Sequence, residues 1–299
     1  MFRMKGSWVA IITPYNADGG VDIGGFRVLV DFQHRAGTDG ILLMGSTGES
    51  SLLSVEEKKR IIREICPYAK GKIPVFVGTT CNTTRETVEL SLYAKDHGAD
   101  GLLLVVPPYC RPPQDSIYEF FATVAEAAEL PIAIYNNPSR VGVNIDASTV
   151  VRLADIPNIV ADKEAIPNVS QLVNVRRKAG DKIAILCCDY PGYGLILPTL
   201  AMGGDGVTNI VGNVIPRQMA EMSQPWSSWE DVERTRRIYF RYLPLMEAAY
   251  SVSNPVPLKA AMEMLGLPAG PPRKPLPELR SEAKEKLQRL LEELEVTID

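Results

Sequence analysis

Histidine is nearly absent from this chain: only His34 and His97 occur among 299 residues, and both fall inside helical patterns. No metal is expected, because a histidine-rich site has no ligands to draw on. Cysteine is scarce and poorly spaced for cross-linking, since the five are odd in number and none form C-x-x-C. That fits reduced thiols in a cytoplasmic protein better than a disulfide framework. No apolar stretch approaches the roughly 20 residues of a membrane span. The amino-terminal MFRMKGSWVAIITP enters a strand pattern directly, without the long apolar region and small-residue cleavage site of a leader. Basic tracts never exceed three residues and the net charge is −4. A nucleic-acid partner is thereby not expected, because phosphate neutralisation needs clustered Lys and Arg.

Apolar residues make up 45% of the chain, ordinary for a globular protein and enough for a large core. The length exceeds a usual domain, but α/β barrels commonly reach about 250 residues as one unit. The order of elements agrees. Trp8 to Ile12 reads as a first strand, stopped by Pro14 and the polar turn Asn16 to Gly20, and a helix with Phe26, Leu29, Val30 and Phe32 on one face follows. Further strands are expected at Ile41–Met44, Val75–Val77, Leu102–Val106, Ile132–Tyr135, Asn158–Lys163, Ile183–Leu186 and Val207–Ile210, each followed by helix. A capping box is expected at Ser54 and Glu57. Gly37-Thr38-Asp39-Gly40, Gly98-Ala99-Asp100-Gly101 and Gly203-Gly204-Asp205-Gly206 recur between a helix and the next strand. Eight strand and helix alternations favour a (β/α)₈ barrel, residues 1–224, over an open doubly wound sheet. Residues 225–299 read as a helical domain, with the proline-rich 268–277 running over the surface.

Lysine 163 stands at the carboxyl end of the sixth strand, within Asp162-Lys163-Glu164. In a βα protein that is where sites are built, and an amine held there with little water can lose its proton and attack a carbonyl carbon. The plainer alternative is a charged turn opening a helix. After the second strand, Gly45-Ser46-Thr47-Gly48-Glu49-Ser50 offers two hydroxyls and glycine-flexible amides to a carboxylate, or is a tight turn and no more. After the fifth, Tyr135 supplies a phenol able to pass protons and Arg140 a guanidinium able to grip a carboxylate. Alternatively they are a core aromatic and a solvated charge. The rigid loop Pro107 to Pro113 projects Tyr109, and Cys187-Cys188-Asp189 follows the seventh strand, its thiols read as packing because no histidine is placed to activate them. What unites these residues is place: Ser46, Thr47, Tyr109, Tyr135, Arg140 and Lys163 all fall at the carboxyl ends of four strands.

With GSTGES at Gly45, YNNPSRVG at Tyr135, the strand lysine Lys163 and NPVPLKAAMEMLGL at Asn254, the chain resembles the dihydrodipicolinate synthase and N-acetylneuraminate lyase family along nearly its whole length. The resemblance implies a (β/α)₈ TIM barrel with a C-terminal helical domain, assembled as a homotetramer, needing no metal or organic cofactor. It implies that Lys163 forms a Schiff base with pyruvate and that Tyr135 shuttles protons. Ser46 would link Tyr135 to Tyr109, which would enter a neighbouring subunit's site. Ser46 and Thr47 would hold the pyruvate carboxylate, and Thr208 is expected to bind substrate. Arg140 favours the synthase branch, which condenses pyruvate with aspartate semialdehyde in lysine biosynthesis. A 2-keto-3-deoxy acid aldolase or hydratase-aldolase of the same family and a non-catalytic regulatory paralogue that binds a keto acid, to which the unusual Asp162 beside Lys163 points, are the alternatives. Ala161-Asp162, Val141, Cys188 with Tyr190, and Ile166-Pro167 depart from the family pattern, mostly on the side of the second substrate. Val55, Lys58 and Pro108 stand where lysine-inhibited members often carry two histidines and a tyrosine, so weak or absent inhibition by lysine is expected despite Asn82 and Glu86.

Overall fold

The computed structural model describes residues 2–298. Eight parallel strands close into a barrel in sequence order, with β8 pairing back onto β1. They are β1 (Gly6–Ala10), β2 (Gly40–Leu43), β3 (Val75–Gly78), β4 (Gly101–Val105), β5 (Ile132–Asn136), β6 (Ile159–Glu164), β7 (Ala184–Cys188) and β8 (Gly206–Asn209). The strands are apolar almost throughout because side chains inside meet the barrel core and those outside meet helices. Between them lie α1 (Ile23–Arg35), α2 (Val55–Ala69), α3 (Thr84–Asp96), α4 (Gln114–Ala128), α5 (Pro138–Val141), α6 (Ala147–Leu153), α7 (Val169–Ala179) and α8 (Ile196–Ala201). The expected elements stand within a few residues of these bounds, and α2 opens on the capping box of Ser54 and Glu57.

The recurrent Gly-x-Asp-Gly has a common mechanical basis. Gly37, Gly98 and Gly203 adopt left-handed φ of 78°, 82° and 80°, where a side chain would be strained, so each releases the chain from its helix. The aspartates then accept an amide from the first or second residue of the preceding strand: Ser7 N donates to Asp39 at 2.8 Å, Val75 N to Asp100 at 2.8 Å, and Ile185 N to Asp205 at 2.9 Å. Each carboxylate thus sets the start of a strand pair, which fixes the register on which the opposite, carboxyl end depends.

At Lys163 the strand reading holds against the charged turn: β6 continues to Glu164, one residue past the expected end, and Asp162, Lys163 and Glu164 are all buried. One expectation needs correction. The loop after β5 contains the short helix α5, started by Pro138 at its first turn and stopped by Gly142 at φ 80°. Four residues are too few for a periodic signal.

Beyond the barrel come α9 (Pro216–Met222), α10 (Trp229–Ala249), α11 (Val256–Met264) and α12 (Ser281–Glu293). Residues 268–277 form neither helix nor strand, yet they are anchored to the barrel rather than merely laid over it. Tyr15 N donates to Ala269 O at 3.0 Å, and Arg273 reaches Glu57 and the carbonyls of Leu52 and Gly19. Among the described residues no helix is long and apolar enough to cross a membrane.

Candidate active site

A cavity of about 320 Å³ opens at the carboxyl ends of the strands. Ser46, Thr47, Tyr135, Arg140, Lys163 and Thr208 all line it. Four strands or the loops after them, β2, β5, β6 and β8, therefore converge there. Tyr109 does not join them: it sits in the loop after β4, 98% exposed, with a left-handed φ of 78°.

Lys163 enters from β6, its neighbours in register being Tyr135 on β5 and Leu186 on β7. Its ammonium position lies 4.0 Å from the centroid of the Tyr135 ring. Burial holds its pKa below the ordinary lysine value, while Cys188 and Asp189 pull the other way. An amine so placed reaches the neutral, nucleophilic form more readily than a surface lysine. Tyr135 is pushed well above the usual phenol range by burial and by Cys188, with Asn137, Arg140 and Ser46 opposing. It remains a phenol at neutral pH and can lend a proton.

The loop after β2 is held from three sides. Thr13 donates its hydroxyl to Gly48 O at 2.7 Å. Glu49 and Lys259 form an ion pair of 2.7 Å from which water is wholly excluded. Burial pushes Lys259 down to about 8, with Glu49 opposing. The Tyr15 ring lies 4.0 Å from the Lys259 nitrogen and 4.4 Å from the Arg273 guanidinium carbon. Arg273 N also donates to Glu49 at 2.8 Å. A glycine is required at position 78 in β3, because a Cβ there would collide with the Met44 carbonyl. Within the cavity, Asn254 donates to the Thr47 hydroxyl at 2.9 Å, which leaves that hydroxyl's own proton free for an acceptor in the cavity.

Several lining residues are not among the expected site residues, although Cys188 and Tyr190 stand out as departures from the family pattern. Cys188, read as packing, borders the cavity beside Lys163; burial raises its pKa, and Thr208 Oγ1 lies 3.5 Å from its sulfur. Buried Asp189 accepts hydrogen bonds from Ile210 N at 2.7 Å, Val211 N at 3.3 Å and the Tyr250 hydroxyl at 2.8 Å. Asn137, Ser139, Tyr190, Tyr193 and Asn254 also line the cavity. Asp189 and Asn254 lay inside segments already singled out, while Tyr250 and Tyr193 carried no signal of their own. Among the described residues no group of three or more His, Cys, Asp or Glu side chains could hold a metal ion.

Residues 3–294 match the model of the dihydrodipicolinate synthetase family. The chain belongs to that family. It is 41% identical over 296 residues to the 4-hydroxy-tetrahydrodipicolinate synthase of Methanopyrus kandleri, covering 98% of this chain and 97% of the other. It is 40% identical over 291 residues to the enzyme of that name from Methanocaldococcus jannaschii, covering 97% and 98%. A crystal structure of dihydrodipicolinate synthase from Aquifex aeolicus superposes with a TM-score of 0.93 at 38% identity, covering 99% of this chain and all of that one.

Proposed function

We propose that the protein is a class I, Schiff-base lyase that acts as a 4-hydroxy-tetrahydrodipicolinate synthase, condensing pyruvate with aspartate semialdehyde. The observation that carries the mechanism is the placement of the Lys163 amine, buried and 4.0 Å from the Tyr135 ring, in a cavity that also holds Ser46, Thr47 and Arg140. Neutral Lys163 attacks the C2 carbonyl of pyruvate, and loss of water gives the imine. Tyr135 supplies and recovers protons at this stage. The imine draws electrons from the methyl group, which loses a proton to give an enamine, and the enamine carbon attacks the aldehyde. The amino group of the former aldehyde then attacks the imine carbon and displaces the Lys163 amine, which closes the ring, restores the free lysine and leaves one water lost overall. Ser46 and Thr47 suit the pyruvate carboxylate, Arg140 the carboxylate of the second substrate, and Thr208 lies where it can contact the imine-bound acid.

A second reading, an aldolase or hydratase-aldolase for a 2-keto-3-deoxy acid, is favoured by one feature: Cys188 and Tyr190, which depart from the family pattern, both line the cavity. Asp162, the departure beside Lys163 that would point to the non-catalytic paralogue, does not line the cavity. We further propose a homotetramer in the cytoplasm, with residues 225–299 as a helical domain, and we assign the exposed Tyr109 to a neighbouring subunit's site, where Ser46 would join it to Tyr135. Borohydride reduction in the presence of pyruvate tests the central step: the expected result is a mass adduct on Lys163, and its absence overturns the enzyme reading. Coupled assays with aspartate semialdehyde against a panel of 2-keto acids separate the two enzymes, and sedimentation tests the tetramer.

A further inference from the structure

A chain of hydrogen bonds runs from the mouth of the cavity to Tyr135 without leaving the subunit. The Tyr193 hydroxyl lies 3.2 Å from Ser139 Oγ, Ser139 Oγ donates to Asn137 Oδ1 at 2.6 Å, and Asn137 Nδ2 donates to the Tyr135 hydroxyl oxygen at 2.7 Å. An amide nitrogen can only donate, so the last link delivers positive charge to the phenol oxygen. Asn137 is buried, whereas Ser139 is exposed on the rim, so the chain passes from water to the interior. Tyr193 is itself braced, its ring meeting Tyr190 edge-on at 4.5 Å, and Tyr190 meets Tyr250 at 4.7 Å.

We propose that Asn137, Ser139 and Tyr193 are positioning residues for Tyr135, and that their aligned hydrogen bonds stabilise its oxygen when the phenol gives up its proton. The inference rests on the reading of Tyr135 as the proton carrier for the Lys163 imine. Its physical basis is the conflict at that residue. Burial favours the neutral phenol, while proton transfer requires negative charge to develop on the same oxygen. A donor fixed on that oxygen beforehand strengthens as charge appears and costs no reorganisation at the moment of transfer. Asn137 makes the contact, Ser139 holds the Asn137 amide in the orientation that donates, and Tyr193 holds Ser139. The effect should therefore decline along the chain, and the outer residues should act only through Asn137.

The test is exchange of the pyruvate methyl protons for deuterium in heavy water without any aldehyde, which reads imine and enamine formation and is blind to contacts with the second substrate. Borohydride trapping on the same samples reports Lys163 separately. Asn137→Leu is expected to slow exchange about ten- to a hundredfold, the loss that accompanies one hydrogen bond to a charged oxygen, while the trapped fraction at saturating pyruvate stays at the wild-type level. Tyr193→Phe should slow exchange several-fold in the wild-type background and have no further effect in the Asn137→Leu background. Ser139→Ala, at an exposed position, gives the same readout should Asn137→Leu lose its fold. Wild-type exchange in these variants with normal trapping, or equal effects of Tyr193→Phe in both backgrounds, would overturn the positioning chain alone. Absence of an adduct on the wild-type protein would overturn the reading beneath it as well.

Discussion

Asp162 and Glu164 lie two residues apart on β6, both sealed from water, on the face opposite the one that presents Lys163. Glu164 accepts hydrogen bonds from Asn136 at 3.2 Å and Gln171 at 3.0 Å. Asp162 has no partner for either oxygen among the described residues. Burial raises its pKa to about 7, far above an ordinary aspartate, and the neighbouring Asp162 adds to the burial that raises Glu164. The folded protein therefore binds a proton that the unfolded chain releases near pH 4. Stability should be full at pH values below that, fall as pH rises toward neutrality, and continue to fall through about 7. Asp162→Asn keeps the shape and removes the charge. Melting temperatures measured from pH 5.5 to 8.5 should decline in the wild type and less so in the variant, by several degrees at the upper end. Parallel curves for the two proteins would mean that Asp162 is ionised and satisfied.

The adjacent Lys163 leads to the opposite expectation for stability. Its lowered pKa records a burial cost, so removing the amine should not weaken the fold. Lys163→Ala is expected to abolish turnover and pyruvate trapping, while circular dichroism and melting temperature stay within a few degrees of wild type. In the wild type, the rate of trapping at low pyruvate should rise with pH and level off below the usual lysine value, because the lowered pKa brings the nucleophilic form into reach. A variant that unfolds would place Lys163 among the groups that hold the barrel together.

Much of this was legible in the sequence because the barrel repeats its own grammar. The glycine stop and strand-pairing aspartate occur three times, and apolar runs too short for helices occur eight times. The position of Lys163 followed from counting strands. Strand alternation applied one residue further would also have placed Asp162 and Glu164 on the outer face, since Lys163 points inward. Other features lie beyond periodicity. Glu49 and Lys259 are far apart in the chain, and nothing local reveals that they meet. The contact between Asn137 and Tyr135 depends on how α5 turns after Pro138, and a four-residue helix leaves no pattern. Cys188 looked like packing because a buried strand end and a cavity wall have the same composition.

The pairing of Glu49 with Lys259 predicts a marked asymmetry between single and double replacement. Both groups are inaccessible, so removing either strands the other's charge without water. Lys259→Met should cost about 3–5 kcal/mol of stability. Since Glu49 closes the GSTGES loop, the affinity for pyruvate should fall as Ser46 and Thr47 lose their support. Glu49→Gln combined with Lys259→Met removes both charges and should recover a large part of the lost stability. Chemical denaturation of Glu49→Gln, Lys259→Met and the double variant gives the comparison, and additive losses would show that the pair contributes nothing as a pair.

The last prediction concerns a second, larger cavity of about 910 Å³ that shares Ser46, Tyr135 and Arg140 with the first. Asn82 and Glu86 line it, and so do Val55, Lys58, Lys59 and Pro108. Glu86 could pair with the ammonium of a free lysine, and Asn82 could accept a hydrogen bond from it. Lys58 and Lys59 oppose this, because a further cation brought among them meets like charge, against which Glu89 is an additional carboxylate on the lining. Val55 and Pro108 offer neither donor nor acceptor side chains to satisfy an amino acid's polar ends, and a polar group moved from water without a partner loses affinity. Lysine should therefore inhibit weakly or not at all. Initial rates at rising lysine concentration should stay near the uninhibited value through the low micromolar range, and calorimetry should register no heat of binding there. Half-inhibition at low micromolar lysine would show that Lys58 and Lys59 turn away from the cavity in the assembled enzyme.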